Sequence, residues 1–234
     1  MSGATVILGA SSAIGVALAR RLIERNEPLF LTYYEHWKAL EWASPRARLV
    51  HVDVGNSRSV RDGVAGITAY APSIGRVVYC AARTSRTTVR ETTPGQWREI
   101  FDATVHGAFY ATKEALPYME PGGKIIYLSS TSAGRACPDW IAYAAAKAAL
   151  DSFAMSTAAS VFDDGIRVYL LQLGRARSPL RTILAPNEDG AAGVAAGTIL
   201  SPETIAKTIE QFLYAKADVM AGSAIRVHAE NRLQ

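Results

Sequence analysis

Tyr143-Ala144-Ala145-Ala146-Lys147 sets a phenol and an ammonium four residues apart, which on a helix is one turn along one face. A free phenol, with a pKa near about 10, is a poor proton donor at neutral pH. An adjacent ammonium favours the phenolate and draws the phenol toward the working range. The spacing alone decides little, because Tyr34 and Lys38 repeat it. A third residue separates the two pairs: thirteen positions before Tyr143, at the end of a run with strand chemistry, stands Ser130, whereas thirteen before Tyr34 is Arg21. A hydroxyl, a tuned phenol and a lysine together suit hydride chemistry at a carbonyl. As hydride reaches the carbon, charge grows on the oxygen, where Ser130 can donate a hydrogen bond and Tyr143 can deliver a proton.

A cofactor to supply that hydride has a candidate seat. Gly9-Ala10-Ser11-Ser12-Ala13-Ile14-Gly15 follows an apolar run at 5–8 and leads into a helix expected to begin near Ala13. Gly9 permits a tight turn, and small residues let the backbone approach a pyrophosphate. The helix N-terminus adds free N–H donors and a partial positive charge. Strand, small-residue turn and helix in that order give the motif its meaning.

The elements that must position these residues are legible as alternation. Runs with strand length and β-branched content lie at 5–8, 29–33, 49–52, 76–79, 124–128, 167–171 and 224–227. Between them, apolar residues recur at three- and four-residue spacing, as in Ile14, Leu18 and Leu22 or Trp97, Ile100, Phe101 and Val105. Such alternation predicts an α/β fold: a Rossmann-like, doubly wound parallel sheet of about seven strands with helices on both faces. Ligands then bind at the carboxyl ends of the strands, near the switch in strand order. Residues 1–234 read as a single domain without a linker or internal repeat, and the irregular, glycine-containing stretch 174–200 reads as a substrate loop.

Taken together, these motifs resemble those of the short-chain dehydrogenase/reductase family. The turn at Gly9, Ser11, Ser12, Ile14 and Gly15 resembles its T-G-x-x-x-G-x-G fingerprint, with Leu8 in place of the Thr and Ala13 in place of the middle glycine. Ser130, Tyr143 and Lys147 match its catalytic serine and Y-x-x-x-K motif. The resemblance implies that Ser130 orients the carbonyl, that Tyr143 is the acid, and that Lys147 tunes Tyr143 and binds the cofactor ribose. Thr104 falls where the family carries an asparagine that helps hold a water beside the lysine. Asp53 and Val54 match the residues that meet the adenine. Tyr79-Cys80-Ala81-Ala82 stands where the family has N-N-A-G, which places Cys80 and Ala81 against the cofactor. Gly174 and Ser178 stand for its P-G and following threonine beside the nicotinamide, and 227–230 replaces a glycine-rich ending. The family also assembles as homodimers or homotetramers, and the alanine-rich helix after Tyr143 suits close packing against a copy of itself.

At the end of the second strand, where an acid would hold the ribose 2′-hydroxyl of NAD(H), stands Tyr33 or Tyr34, followed by His36 and Lys38. Without that acid the site is expected to prefer NADP(H), with NAD(H) also usable.

Composition narrows the rest. The chain has 234 residues, 49% apolar and 20% charged, with a net charge of +4, a mild excess for a protein that would live by neutralising phosphates. A nucleic-acid partner and a membrane span are not expected, since no stretch reaches the length needed to cross hydrocarbon. The apolar segment 5–18 is interrupted by glycines and serines and follows no basic residue, so it reads as fold rather than as a targeting signal. Cys80 and Cys137, far apart in sequence, suit a reducing, cytoplasmic setting. Four scattered histidines show no metal-ligand spacing.

Seven of the 19 arginines (Arg83, Arg86, Arg90, Arg135, Arg175, Arg177 and Arg181) fall in the loops after strands four, five and six. The partner is expected to be a small carbonyl or alcohol substrate, and the cluster reads either as a grip for an anionic substrate or carrier or as a solvated basic rim or subunit contact. The alternative is a non-catalytic NAD(P)-binding regulator, which would bind cofactor without turnover.

Overall fold

The computed structural model, which describes residues 3–215 and 221–229, joins the seven runs into one parallel sheet. Glu230, the last residue of the 227–230 stretch, lies outside the described residues. The strands are β1 (Ala4–Leu8), β2 (Leu29–Tyr33), β3 (Arg48–His51), β4 (Ile74–Tyr79), β5 (Met119–Ser130), β6 (Arg167–Leu173) and β7 (Ala224–Val227). Their spatial order is β3-β2-β1-β4-β5-β6-β7, so the order reverses between β1 and β4. All of β1 is buried, because crossover helices cover both faces of a central parallel strand; edge strand β7 alternates exposed and buried residues.

The α-helices are α1 (Ala13–Leu22), α2 (Ser57–Thr68), α3 (Pro94–Phe101), α4 (Gly107–Ala115), α5 (Ile141–Ser160), α6 (Pro179–Leu184), α7 (Gly190–Ala195) and α8 (Pro202–Tyr214). On one face Leu18 and Leu22 of α1 and Ile205 and Ile209 of α8 pack over Ile7, Leu31, Val78 and Ile126. On the other, Val64 of α2, Ala111 of α4 and Leu150 of α5 pack over Val6, Val77 and Ile125. Neighbouring strand residues thus feed opposite cores, as a two-residue period requires.

At the amino ends of the strands, away from the expected site, Lys124 donates from Nζ to the carbonyls of Phe212 and Ala215 at 3.1 and 2.6 Å. A lysine under a helix C-terminus meets both the unpaired carbonyls and the negative end of the helix dipole. This ties α8 to the sheet.

Two local features depart from the sequence expectation. The stretch 174–200 is not irregular throughout: it carries α6, capped by Ser178, and α7, capped by Asp189, and a bridge from Ala176 to Leu200 closes its ends. Each is only six residues long, and α7 is all glycine and alanine but for Val194, so they leave no clear period to read. Between α3 and α4 the helix widens into a π-turn at Asp102–His106. Tyr79, at the end of β4, donates from its hydroxyl to the Ala103 carbonyl in this turn at 2.7 Å. Gly107 makes room for it, since a Cβ there would lie 2.2 Å from that hydroxyl. Tyr79→Phe is expected to lower stability by about 1 kcal/mol, the ordinary worth of such a bond. Urea unfolding checks this, and an unchanged midpoint would mean that the π-turn does not need the phenol.

Candidate active site

The carboxyl ends of the strands open on two adjoining cavities. The larger, a groove of about 680 Å³, runs from the turn after β1 past the ends of β2 and β4. The smaller, about 110 Å³, lies over the ends of β5 and β6. Ile14, Cys80, Ala82, Ser178 and Leu180 line both, so the two share a wall.

The groove receives most of the residues expected to hold a dinucleotide. Gly9, Ser11, Ser12, Ile14, Tyr33 and Tyr34 line it at one end. Asp53, Val54, Cys80, Ala81 and Ser178 continue it. Gly9 has φ +74°, a left-handed conformation that favours glycine, and a Cβ there would meet the backbone of Ala81 at 2.8 Å. The turn can close against β4 only with glycine at this position. Ser12 caps α1 by accepting the Gly15 N–H at 3.1 Å, so its hydroxyl is committed to the helix. Ala13 and Ile14, in the first turn of α1, line the groove, and N–H groups there have no carbonyl within the helix to bond. Small residues, a left-handed glycine and a free helix N-terminus fit the pyrophosphate of a dinucleotide. Gly15 does not line the groove. A Cβ on it would lie 2.6 Å from the Ala10 carbonyl oxygen, so its part is close packing of turn on helix.

Behind the far end of the groove, the His51 ring lies edge-on to Tyr33 and tilted against Tyr34, with ring centroids 5.6 and 5.8 Å away. Glu35 lies 3.7 Å from Arg83, whose other terminal nitrogen lies 3.9 Å from Glu99. Arg83 and His36 are the basic side chains in this lining.

Ser130, Tyr143 and Lys147 line the smaller cavity together with Gly174. Ser130 reaches it because β5 ends there, and its hydroxyl accepts the Ser132 N–H at 3.1 Å. Tyr143 and Lys147 lie one turn apart on α5, with the ammonium 5.7 Å from the phenol ring centroid. Lys147 donates from Nζ to the Leu128 carbonyl at 2.7 Å. Burial pulls the lysine down to about 8, against the opposing pull of Asp151.

Tyr143 departs from the expected direction. Burial pushes its phenol above the usual value, and a hydrogen bond from Ser130 and the charge of Arg181 oppose that push. Desolvation of the phenolate outweighs the stabilising groups around it. Cys80 is pushed up by burial to about 12, so it stays a neutral thiol on the shared wall. Thr104, expected beside the lysine, is fully buried in the π-turn and lines neither cavity; its hydroxyl has no hydrogen-bond partner.

The arginines do not converge as expected. Arg86 and Arg90 line neither cavity, and Arg83 belongs to the groove. Arg181 and Arg175 line the small cavity but share the Glu188 carboxylate. Arg135, in the loop just after Ser130, lines it with no ion pair among the described residues. Asp151 and Ser129 escaped the sequence reading: their carboxylate–hydroxyl bond is buried next to Ser130 at the end of β5. The four-residue step from Lys147 to Asp151 was the available signal. Among the described residues no cluster of three or more His, Cys, Asp or Glu side chains is set to hold a metal ion, and no helix is long and apolar enough to cross a membrane.

Residues 9–229 match the family model described as enoyl-(acyl carrier protein) reductase. The chain is 28% identical over 183 residues to the uncharacterized oxidoreductase YhxC of Bacillus subtilis (strain 168), a match covering 75% of this chain and 64% of that protein. It is 25% identical over 191 residues to general stress protein 39 of the same organism, covering 78% and 67%. A dehydrogenase/reductase from Sinorhizobium meliloti 1021 shares the fold with a TM-score of 0.85 at 22% identity, over 97% of this chain and 94% of that one. So does a short chain dehydrogenase from Burkholderia cenocepacia J2315 in complex with NADP, with a TM-score of 0.85 at 20% identity over 97% and 96%.

Proposed function

This chain belongs to the short-chain dehydrogenase/reductase family, and we propose that it reduces a ketone to a secondary alcohol with NADP(H), Tyr143 serving as the general acid. The observation that carries this reading is that Ser130, Tyr143 and Lys147 line one cavity whose wall is shared with a groove suited to a dinucleotide. A nicotinamide cofactor held in that groove supplies the hydride. Ser130 donates a hydrogen bond to the carbonyl oxygen and positions it beside the Tyr143 hydroxyl. Tyr143 gives its proton to that oxygen as charge develops there. The resulting phenolate is stabilised by the same groups that oppose its high pKa, the Ser130 hydroxyl and the Arg181 charge. Lys147, pinned to Leu128, keeps a cation beside the phenol, and in this reading it also binds the ribose.

The preference for NADP(H) is supported by the groove's far end, where tyrosines replace the expected acid and Arg83 draws Glu35 aside. Arg83→Ala is expected to raise the KM for NADPH about tenfold, the worth of roughly one charge-assisted hydrogen bond, and to leave NADH nearly unchanged. Equal losses with both cofactors would remove Arg83 from phosphate binding. With Arg175 and Arg181 held on Glu188, an acidic group on the substrate would be met by Arg135. Phe109 and Met155, 45% and 47% exposed on α4 and α5, support the expectation of a homodimer or homotetramer.

A panel of neutral and carboxylate-bearing ketones, followed by loss of NADPH or NADH absorbance, tests the reading as a whole. Cofactor binding without turnover across the panel would favour the non-catalytic regulator.

A further inference from the structure

Asp151 stands one turn beyond Lys147 on α5 and has no part in the chemistry above. Both residues are buried, Asp151 at 8% exposure and Lys147 at 4%. The Asp151 carboxylate accepts from the Ser129 hydroxyl and, at 2.5 Å, from Nε2 of Gln172. Gln172 in turn accepts from Arg226 Nε at 3.3 Å. Lys147 is pinned to the carbonyl of Leu128, the residue just before Ser129. Adjacent residues of β5 therefore hold the ammonium and the carboxylate.

A backbone carbonyl fixes where the ammonium sits but brings no charge to balance it, and a buried ammonium without a counter-charge gives up its proton. From its own helix Lys147 faces Tyr143 and Asp151; from the residue just after β4 it faces Cys80, whose thiol is neutral because burial pushes it up to about 12. Asp151 faces Lys147, Ser129 of β5 and Gln172 of β6. Burial raises the Asp151 carboxyl, while the bonds from Ser129 and Gln172 and the Lys147 charge favour its ionised form. The carboxylate set to keep Lys147 charged is thus that of Asp151.

We propose that Asp151 is a positioning residue of this site: acting through Lys147, it holds the ammonium in its charged form and so sets the pH range in which Tyr143 has a cation beside it. The inference rests on the reading of Tyr143 and Lys147 as a proton-transfer pair, so its test reads the ammonium directly and needs no substrate. The chain has six lysines, few enough to follow by NMR with an isotope label at Cε; Lys147→Met identifies the signal. In the unaltered protein the Lys147 signal should titrate near pH about 8. Asp151→Asn removes a negative charge, which disfavours the ammonium, so the midpoint should fall by roughly one unit, a tenfold loss of proton affinity. Asp151→Glu should restore most of it. Asp151→Ser, smaller and also neutral, gives the same reading where the amide disrupts packing. A midpoint that stays in place in both neutral variants overturns the proposal, whatever their stability. Where the panel shows turnover, the pH profile of kcat/KM should shift with the NMR midpoint; a profile that stays fixed while the midpoint moves also overturns it. If the midpoint moves and no ketone is reduced by any form, the Asp151–Lys147 coupling stands and the ketone-reduction reading falls.

Discussion

Tyr143→Phe is expected to lower turnover by about a hundred- to ten-thousand-fold, the range that a positioned acid contributes, while cofactor affinity changes little. The substitution removes one oxygen and keeps the ring, which lies packed within α5 and its surroundings at 9% exposure. Ser130 would keep its bond to the Ser132 N–H, and Lys147 its bond to Leu128. The loss should therefore fall on kcat, because the missing proton is needed only as charge develops on the substrate oxygen. Steady-state rates together with a fluorescence titration of NADPH separate the two effects. Turnover within tenfold of the parent would assign the proton to another donor. An equal collapse of cofactor binding would make the phenol a packing residue instead.

Gly9→Ala is expected to damage both stability and cofactor binding. At φ +74° an alanine carries a left-handed penalty of about 1–2 kcal/mol. Its Cβ would also lie 2.8 Å from the N and Cα of Ala81, and these are backbone atoms at the end of β4 that cannot swing aside as a side chain would. The summed cost should exceed about 2 kcal/mol. Any relief that moves Ala81 also moves the floor of the groove, so NADPH affinity should fall with stability. Gly66→Ala is the matched control: Gly66 is exposed on α2 and nothing lies within 4 Å of the added methyl. There alanine should stabilise by about 0.5–1 kcal/mol through helix propensity and chain entropy. Urea denaturation and NADPH titration of the two variants check the contrast. A Gly9→Ala protein with parental midpoint and affinity would show that the turn has room to spare.

The sheet and the gathering of Ser130, Tyr143 and Lys147 on one cavity wall were readable along the chain because each depends on near neighbours. A run such as 29–33 carries its own strand signal and coincides with β2. Tyr143 and Lys147 share a face because a helix repeats every 3.6 residues, and α5 runs through both. Ser130 lies at a strand end because the apolar run before it stops there. Helix periodicity and strand chemistry are local, so the order of strands and long helices follows from them, while the short helices of 174–200 and the π-turn do not.

Electrostatics and long-range packing were not local, and there the tertiary structure decided. No spacing along the chain shows that burial would outweigh every group favouring the Tyr143 phenolate, because desolvation is set by what other elements bring over α5. The arginine cluster looked like one feature in sequence. In space Arg175 and Arg181 are drawn onto Glu188, Arg83 lies near Glu35 in the larger groove, and Arg135 is left at the smaller cavity. The π-turn that buries Thr104 and receives the Tyr79 hydroxyl depends on a strand far from it in the chain. Asp151 is tied to the strand ends only because β5 and β6 bring Ser129 and Gln172 to it. Sequence by itself determined which groups could do the chemistry and on which elements they ride. The fold decided which of those groups are charged, paired or shut away, because charge and solvation depend on neighbours that only folding supplies.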